Sequence, residues 1–525
     1  MKMILLKAEN TNKAIILSMS LSMFAKVFNF AQSLVASYAF GTQTSTDILL
    51  YMLSMVILLS TLLSAVNQQV IVPNAIYIRT NESEEDSKKF ITFIYLVYIA
   101  IGTVVTAILM IMPEKILGLI SKFSMADIVS NLSILQFIIP TFVLIIANTF
   151  ILDIFTSYRY FTLPMFLDML KNIIIIVFVL LLRDVFSVSS LAMGVLIGNL
   201  AQFLLLNFML FFVLKCKPSF KPYSLSSEIK CNIGYVIGGF MTTFLSGFVV
   251  MYLMSGFSSG VFSAMDYGQK ISTVFTMVIV GQIATVVGMN IIELYAKKEL
   301  KKLNKTFINY LKTGIFLIIP FSFMIALNAE GIISLLFERG EFTRESVAPT
   351  AFFLRFFILS LPYGFINSFV VRLIIAKQIQ RISFWWQTVQ SIVDILILWP
   401  VIHFFGYRGY PIGGLAADYI YIFLVLYFLL KSQFGFIDRK QIINSFILNI
   451  VLNLGIAAVF YALGIKGSAD GSFLQKFFHI AWVCAAFIAL NMAIGYGTGI
   501  NRDVIQKGMK YILKSKWFRK LVPGR

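Results

Sequence analysis

Long runs of apolar residues, separated by short polar or charged stretches, extend along the chain. Each run is roughly 20 residues long, the length that an α-helix needs to cross the hydrocarbon core of a bilayer. The pattern therefore predicts an all-α polytopic membrane protein with about fourteen transmembrane helices. The predicted spans begin near Ala14, Ile48, Phe90, Ile128, Phe161, Ser189, Asn232, Val261, Phe307, Val347, Ile382, Tyr410, Ile442 and Lys476.

The composition of the 525 residues agrees with this pattern, since 59% are hydrophobic and 13% are charged. A soluble globular protein carries about twice that charge, and a disordered chain has far less apolar surface to bury. The cysteines Cys216, Cys231 and Cys484 show no spacing typical of a disulfide framework or a zinc site. His403 and His479 are also far apart in sequence, so we expect no metal site.

The net charge of +19 is distributed unevenly, because the basic residues concentrate in alternate loops. This is the positive-inside bias of a membrane protein rather than a nucleic-acid surface, and it predicts both termini in the cytoplasm. Residues 501–525 are rich in lysine and are expected to form a basic amphipathic helix on the anionic inner leaflet, with a disordered tail as the alternative.

An internal repeat organises the spans. The stretch that contains Pro140 and Arg159 resembles the stretch that contains Pro362 and Arg381, and residues 41–73 more weakly resemble residues 256–289. Six spans separate equivalent positions, so the copies share one orientation, as in the parallel repeats of transporters. The predicted divisions are a first six-helix lobe 1–222, a second lobe 223–435, two appended helices 436–500 and the tail 501–525. Two such lobes around a cavity are typical of alternating access, with a channel as the alternative.

Charged residues inside spans are informative because each costs about 2.5–3.5 kcal/mol at the helix centre unless it is paired or hydrated. Lys26 has no acidic residue within one helical turn and is expected to face a water-filled cavity. Lys270 follows Asp266 by four residues, so it either faces the same cavity or neutralises that carboxylate. The other polar residues predicted to line the cavity are Gln32, Asn67, Gln68, Gln269 and Asp47.

Some charged residues in the spans could stabilise the fold instead of binding substrate. Asp47 could be a carboxylate favoured at the start of its own helix. Asp153, Asp168, Lys171 and Asp394 are expected to form pairs between helices. No glycine-rich phosphate loop, Walker motif, histidine metal signature or serine elbow occurs in the sequence. We therefore expect a transporter without a cofactor, driven by an ion gradient, the membrane potential or consumption of its substrate.

Four sequence segments resemble the MurJ/MviN family of lipid flippases. LFERGEFTRESV, before the tenth span, is similar to an external loop of that family, and FGTQTSTDILLYML is similar to its loop between spans one and two. YFTLPMFLDMLKN resembles the start of its fifth span and GGLAADYI the start of its twelfth. The resemblance extends over nearly the whole chain and agrees with the predicted number of spans.

This resemblance implies a monomeric flippase of the MOP superfamily in the bacterial cytoplasmic membrane, with two six-helix lobes arranged as a V. Its substrate would be a polyprenyl-diphosphate-linked saccharide, held by a cationic cavity, while the last two spans form a groove for the lipid tail. The family usually has arginines where this chain has Lys26, Gln32 and Lys270. Lysine lacks the bidentate fork that suits phosphate, so lipid II and a wall, capsular or exopolysaccharide unit are both possible cargoes.

Three other functions are alternatives to a flippase. A cation-coupled small-molecule exporter of the MATE type would favour carboxylates over lysines in its cavity. A membrane-bound glycosyltransferase or ligase would need a long extramembrane catalytic loop, and no loop here is long enough. A non-transporting scaffold for envelope assembly is the third alternative.

Overall fold

The computed structural model describes residues 11–158, 160, 162–216, 227–377, 379–468 and 470–506, and all regular structure within these residues is helical. In the first half of the chain the α-helices are α1 (Thr11–Phe40), α2 (Thr44–Val66), α3 (Val72–Asn81), α4 (Glu84–Ile111), α5 (Pro113–Ile120), α6 (Met125–Ser130), α7 (Leu132–Ile138), α8 (Thr141–Ser157), α9 (Thr162–Phe186), α10 (Ser189–Phe208) and α11 (Ser227–Met254). In the second half they are α12 (Val261–Phe275), α13 (Gln282–Ala296), α14 (Leu300–Leu327), α15 (Ala329–Phe337), α16 (Arg344–Leu359), α17 (Leu361–Lys377), α18 (Gln380–Phe405), α19 (Gly409–Leu424), α20 (Leu430–Gln433), α21 (Arg439–Ala462) and α22 (Phe473–Gly497).

Many of these helices are long and apolar enough to cross a membrane. Eleven such stretches occur among the described residues, and one of them, Phe384–Gln433, contains most of α18 and all of α19. The two helices are separated at Gly406, which has a positive φ of 60°. The predicted all-α polytopic class is thus confirmed, while the count of fourteen spans stays a prediction.

Four helices pass into π-helical turns, and these occur in two matching pairs. Asn67–Ile71 joins α2 to α3, and Thr276–Gly281 joins α12 to α13. Met209–Val213 follows α10, and Val425–Leu429 follows α19. In each pair the two turns lie in spans that the predicted repeat makes equivalent. Because π-helical turns are rare in proteins, their paired occurrence supports the repeat.

The prolines of the repeat also occupy similar places. Pro140 directly precedes α8, where the helical stretch of α7 is interrupted, and Pro362 lies in the first turn of α17, just after α16 ends. A proline cannot donate a backbone hydrogen bond to the preceding turn, so the helix breaks or restarts there. Arg159 and the side chain of Arg381 lie outside the described residues.

The first compact unit of the chain comprises residues 1–270, 339–346 and 384–395. In it α9 packs against α1 and α10, while α8 packs against α2, α4 and α10. Aromatic side chains on the facing surfaces, including Phe90, Phe150 and Phe155, are fully buried. Within a bilayer such close packing, rather than exclusion from water, holds apolar helices together.

The second compact unit comprises residues 271–338, 347–383 and 396–525. Its central helix, α14, contacts α13, α17, α21 and α22. The lobe divisions predicted at residues 222 and 435 stay predictions. The lysine-rich part of the predicted tail helix, from Lys507 onward, lies outside the described residues.

Four buried asparagines join α21 and α22 in the second unit. Asn491 Nδ2 donates to Asn453 Oδ1 at 2.8 Å, and Asn453 Nδ2 donates to the Asn449 carbonyl at 2.8 Å. Asn501, just beyond α22, donates from Nδ2 to Asn449 Oδ1, also at 2.8 Å. Away from water an amide needs such a partner, so these contacts fix the start of the tail against α21.

Asn491→Ala should destabilise the α21–α22 pair, because it leaves Asn453 Oδ1 without its donor. The expected loss is about 1 kcal/mol, since polar contacts between membrane helices are modest. Thermal unfolding in detergent measures it. Asn74→Ala is the matched control, because the Asn74 amide donates only within its own span, to the Val70 carbonyl of the preceding turn at 2.7 Å. Equal melting temperatures for the two variants would contradict the prediction.

Candidate functional site

A buried carboxylate at the start of α2 holds the N-terminus of another helix. Asp47 Oδ2 accepts a hydrogen bond from the Gly260 backbone N–H at 2.7 Å, and Oδ1 accepts one from the Ser263 N–H at 2.7 Å. The first N–H groups of α12 have no partner within the helix, and the helix dipole favours negative charge there. Gly260 has a φ of 86°, which favours glycine, so the chain can turn into α12 directly beneath the carboxylate.

The loop between α1 and α2 packs against the segment 339–346 at the same place. The Glu341 N–H donates to the Tyr38 carbonyl at 2.9 Å, and the hydroxyl oxygens of Thr42 and Ser346 are 2.6 Å apart. Gly41 has a φ of 56°, and a Cβ there would lie 2.2 Å from the Glu341 carbonyl oxygen. The two loops whose sequences resemble MurJ/MviN loops are therefore in contact. We call these contacts, with those of Asp47, the Asp47 junction.

A second polar group, the Asp153 cluster, lies where α2, α4 and α8 meet. Asp153 Oδ2 accepts from Asn67 Nδ2 at 2.9 Å and from Ser64 Oγ at 3.1 Å, and Oδ1 accepts from Gln68 Nε2 at 3.3 Å. Asn67 is buried and its Oδ1 accepts from the Tyr98 hydroxyl at 2.7 Å. Gln68 is exposed, so the cluster opens to the surface on one side.

The lysines predicted to bind substrate have different surroundings. Lys270 Nζ is 2.6 Å from an Asp266 carboxylate oxygen on the same face of α12, so the pairing predicted as an alternative is formed. Lys26 is half-buried on α1, and no ion pair to it occurs among the described residues. No hydrogen bond or ion pair between described residues joins the two lysines.

The remaining predicted site residues do not form one group. Asn67 and Gln68 come together around Asp153, whereas Gln32 is half-buried on α1 and Gln269 is exposed on α12. Asp47 caps α12 rather than serving only its own helix. A substrate-binding role for these residues stays a prediction.

The pairs expected between helices differ from those in the structure. Asp168 and Lys171, 2.7 Å apart, belong to one helix, and Asp153 contacts neutral groups instead of a cation. Asp394 is half-buried on α18, and no ion pair to it occurs among the described residues. Among the described residues no three His, Cys, Asp or Glu side chains cluster as a metal site would require.

Sequence reasoning missed the partners of both carboxylates. The sequence predicts a helix pair for Asp153 and a cavity position for Asn67 and Gln68, although all three are polar residues in otherwise apolar spans. That shared property, together with the short distance of each from the end of its span, is the signal that could have paired them. The contact of Asp47 with Gly260 involves backbone groups, for which the sequence contains no comparable signal.

Comparison with known proteins identifies the family. A sequence profile described as "Lipid II flippase MurJ" matches residues 36–484. The chain belongs to the MurJ family. Among MurJ relatives, the probable lipid II flippase MurJ of Borreliella burgdorferi is 22% identical over 508 residues, which cover 93% of this chain and 98% of that protein. The one from Aquifex aeolicus is 25% identical over 389 residues, 70% of this chain and 74% of that protein.

Solved structures show the same fold. A lipid II flippase MurJ in an inward closed conformation matches with a TM-score of 0.75 and 18% identity, covering 93% of this chain and all of that chain. An inward-facing multidrug resistance MATE family transporter of the MOP superfamily matches with a TM-score of 0.62 and 13% identity, covering 85% and 99%. This MurJ family member is therefore a multi-pass membrane protein with the fold of MOP transporters.

Gly41→Ala should disrupt the Asp47 junction, because the new Cβ meets the Glu341 carbonyl as well as adopting an unfavourable positive φ. A lower melting temperature and a lower disulfide yield between Thr42→Cys and Ser346→Cys are expected. Gly464→Ala is the control, since Gly464 has a φ of 70° but nothing within 4 Å of a Cβ. In this control the free energy of unfolding should fall only by the cost of placing alanine in a left-handed backbone conformation, about 1–2 kcal/mol. Equal losses of melting temperature in the two alanine variants would show that close packing at Gly41 does not stabilise the junction.

Proposed function

We propose that this protein is a flippase that moves a polyprenyl-diphosphate-linked saccharide from the inner to the outer face of the cytoplasmic membrane. The observation that carries the proposal is the MurJ profile match over residues 36–484, together with a MurJ-like fold over 93% of the chain. The excess of basic residues in alternate loops supports an orientation with both termini in the cytoplasm. That orientation puts the Asp47 junction at the outer end of the spans.

In an alternating-access cycle the Asp47 junction would close the outer end while substrate enters from the cytoplasmic side. Hydrogen bonds to a charged group are worth about 1.5–3 kcal/mol each, so two of them can hold a closed state and still be exchanged for other contacts. A transport cycle requires states separated by only a few kcal/mol. A polar contact through a carboxylate and two backbone N–H groups meets that requirement better than a large apolar interface would.

The diphosphate would be attracted by lysines on α1 and α12. Lys270 shares its charge with Asp266, whereas Lys26 has no ion-pair partner among the described residues, so Lys26 supplies the larger unbalanced positive charge. Lysine attracts phosphate as a point charge without the bidentate geometry of arginine. The proposal therefore includes lipid II and other wall, capsular or exopolysaccharide units as cargo, and it invokes an ion gradient or the membrane potential as the energy source.

Lys26→Ala and Lys26→Gln should lose translocation of a labelled polyprenyl-diphosphate glycan in vesicles, while Lys26→Arg should retain it. Loss of one charge-assisted contact corresponds to about one to two decades in affinity. Lys26→Glu should be worse than alanine, because it adds repulsion. Protein level and melting temperature are the controls. Wild-type transport by Lys26→Ala would contradict capture by this lysine, and absence of transport by the wild type would contradict the flippase.

The role of Lys270 can be separated from its pairing with Asp266. Lys270→Gln alone leaves an unpaired carboxylate in a span, so we expect a lower melting temperature. The double variant Asp266→Asn/Lys270→Gln removes both charges and should recover that stability. If Lys270 also binds the diphosphate, glycan translocation stays low in the double variant. Recovery of both stability and transport would show that Lys270 only neutralises Asp266.

A further inference from the structure

Asp153 differs from Asp266, Asp168 and Asp47 in the kind of partner that it has. Asp266 and Asp168 each pair with a lysine on their own helix, and Asp47 lies at a helix N-terminus. Asp153, on the membrane-length stretch Leu132–Ser157, accepts hydrogen bonds from a hydroxyl and two amides. No cationic side chain among the described residues lies within ion-pair distance of it.

An uncompensated carboxylate inside a bilayer is expensive, and such groups commonly serve proton or ion pathways. Three neutral donors reduce the cost of the charge without removing it. The surroundings favour a proton over a metal cation, because amide N–H groups and a hydroxyl proton point at the carboxylate where metal binding would require oxygen atoms. The carboxylate is half-buried beside the exposed Gln68, so it is not enclosed on all sides by packed helices.

We propose that Asp153 is a proton-binding site whose charge state is transmitted to the π-helical turn Asn67–Ile71 of the span that contains α2. The proposal rests on the proposed function in that the proton would be coupled to transport. In the binding step the carboxylate takes one proton from a hydronium ion, forming an O–H bond and releasing water. The new O–H must donate a hydrogen bond, which Ser64 Oγ can accept, or Gln68 Oε1 after rotation of its amide.

The π-helical turn is joined to this carboxyl group by a hydrogen bond from its first residue. Asn67 is its first residue, and the Asn67 carbonyl accepts from the Val72 N–H, five residues further on. The Asn67 side chain also bridges Asp153 on α8 and Tyr98 on α4. Neutralising Asp153 weakens the bond from Asn67 Nδ2, because a carboxylic acid is a poorer acceptor than a carboxylate. Contact between α2 and α8 would then depend on pH.

Other titratable groups on the packed elements are directed elsewhere. Arg79 on α3 donates to the Ser157 carbonyl at 3.0 Å and lies 4.3 Å from the Tyr158 ring centroid. Lys88 on α4 pairs with Glu84 at 2.6 Å. Tyr98 reaches Asp153 only through Asn67, and α7 and α10 contain no ionisable side chain. Within the described residues, the charge state of the cluster therefore depends on Asp153.

The test is infrared difference spectroscopy of the full-length protein in lipid nanodiscs over a pH series, without substrate. Bands of protonated carboxylic acids should grow as the pH falls, from Asp153 and from other carboxyl groups such as Asp47 and Asp394, and the Asp153 band is the one that Asp153→Asn should remove. Asp168→Asn is the matched control and should retain the band, because Asp168 already pairs with Lys171. Asn67→Ala should move the band to higher frequency, since the carboxyl group loses a hydrogen bond. If Asp153→Asn does not fold, the shift of the band in Asn67→Ala still tests whether the band belongs to Asp153.

Vesicle translocation assays then separate this proposal from the proposed function. If both hold, Asp153→Asn removes the pH dependence of glycan translocation and Asp168→Asn preserves it. An unchanged infrared titration in Asp153→Asn, or an unshifted band in Asn67→Ala, would overturn the proton site even if the protein flips its lipid. A band that depends on Asp153 in a protein that moves no glycan would leave the proton site standing and reject the flippase.

Discussion

The contact between the Asp47 carboxylate and the two N–H groups at the start of α12 brings distant parts of the sequence together within the first compact unit. It joins two helices that are more than 200 residues apart in sequence, and it does so through backbone atoms. The loop contacts of Gly41 and Thr42 surround it. Because a carboxylate and a helix N-terminus are complementary in charge, the contact is specific, and because it is small it is compatible with a moving protein.

The bilayer imposes one rule on every polar group in these helices, which is that each needs a partner other than water. Three of the acids satisfy this rule in different ways: Asp47 with a helix end, Asp266 with a lysine, and Asp153 with neutral amides. The first two leave the charge compensated. The third leaves a charge whose stability depends on the surroundings, which suits a group that changes state.

Much of the fold could be predicted from the sequence because the length of an apolar run and the thickness of a bilayer are directly related. The interrupted helices at Pro140 and Pro362 follow for a similar reason, since proline acts locally on the backbone. The site was less predictable. The sequence predicts Asn67 and Gln68 as cavity residues, but their hydrogen bonds to Asp153 depend on helix packing. The cap at Gly260 involves backbone atoms, which do not distinguish one residue from another.

The paired π-helical turns have an evolutionary consequence. A π-helical turn accommodates an extra residue, which rotates the following helix by about 100° relative to an uninterrupted α-helix. The turn at Asn67–Ile71 follows 23 residues of α2, whereas the turn at Thr276–Gly281 follows only 15 residues of α12. The first turn reads NQQVI and the second TMVIVG, so the amides are found in one copy. The two equivalent spans have thus diverged both in the chemistry of the turn and in its distance from the start of the span.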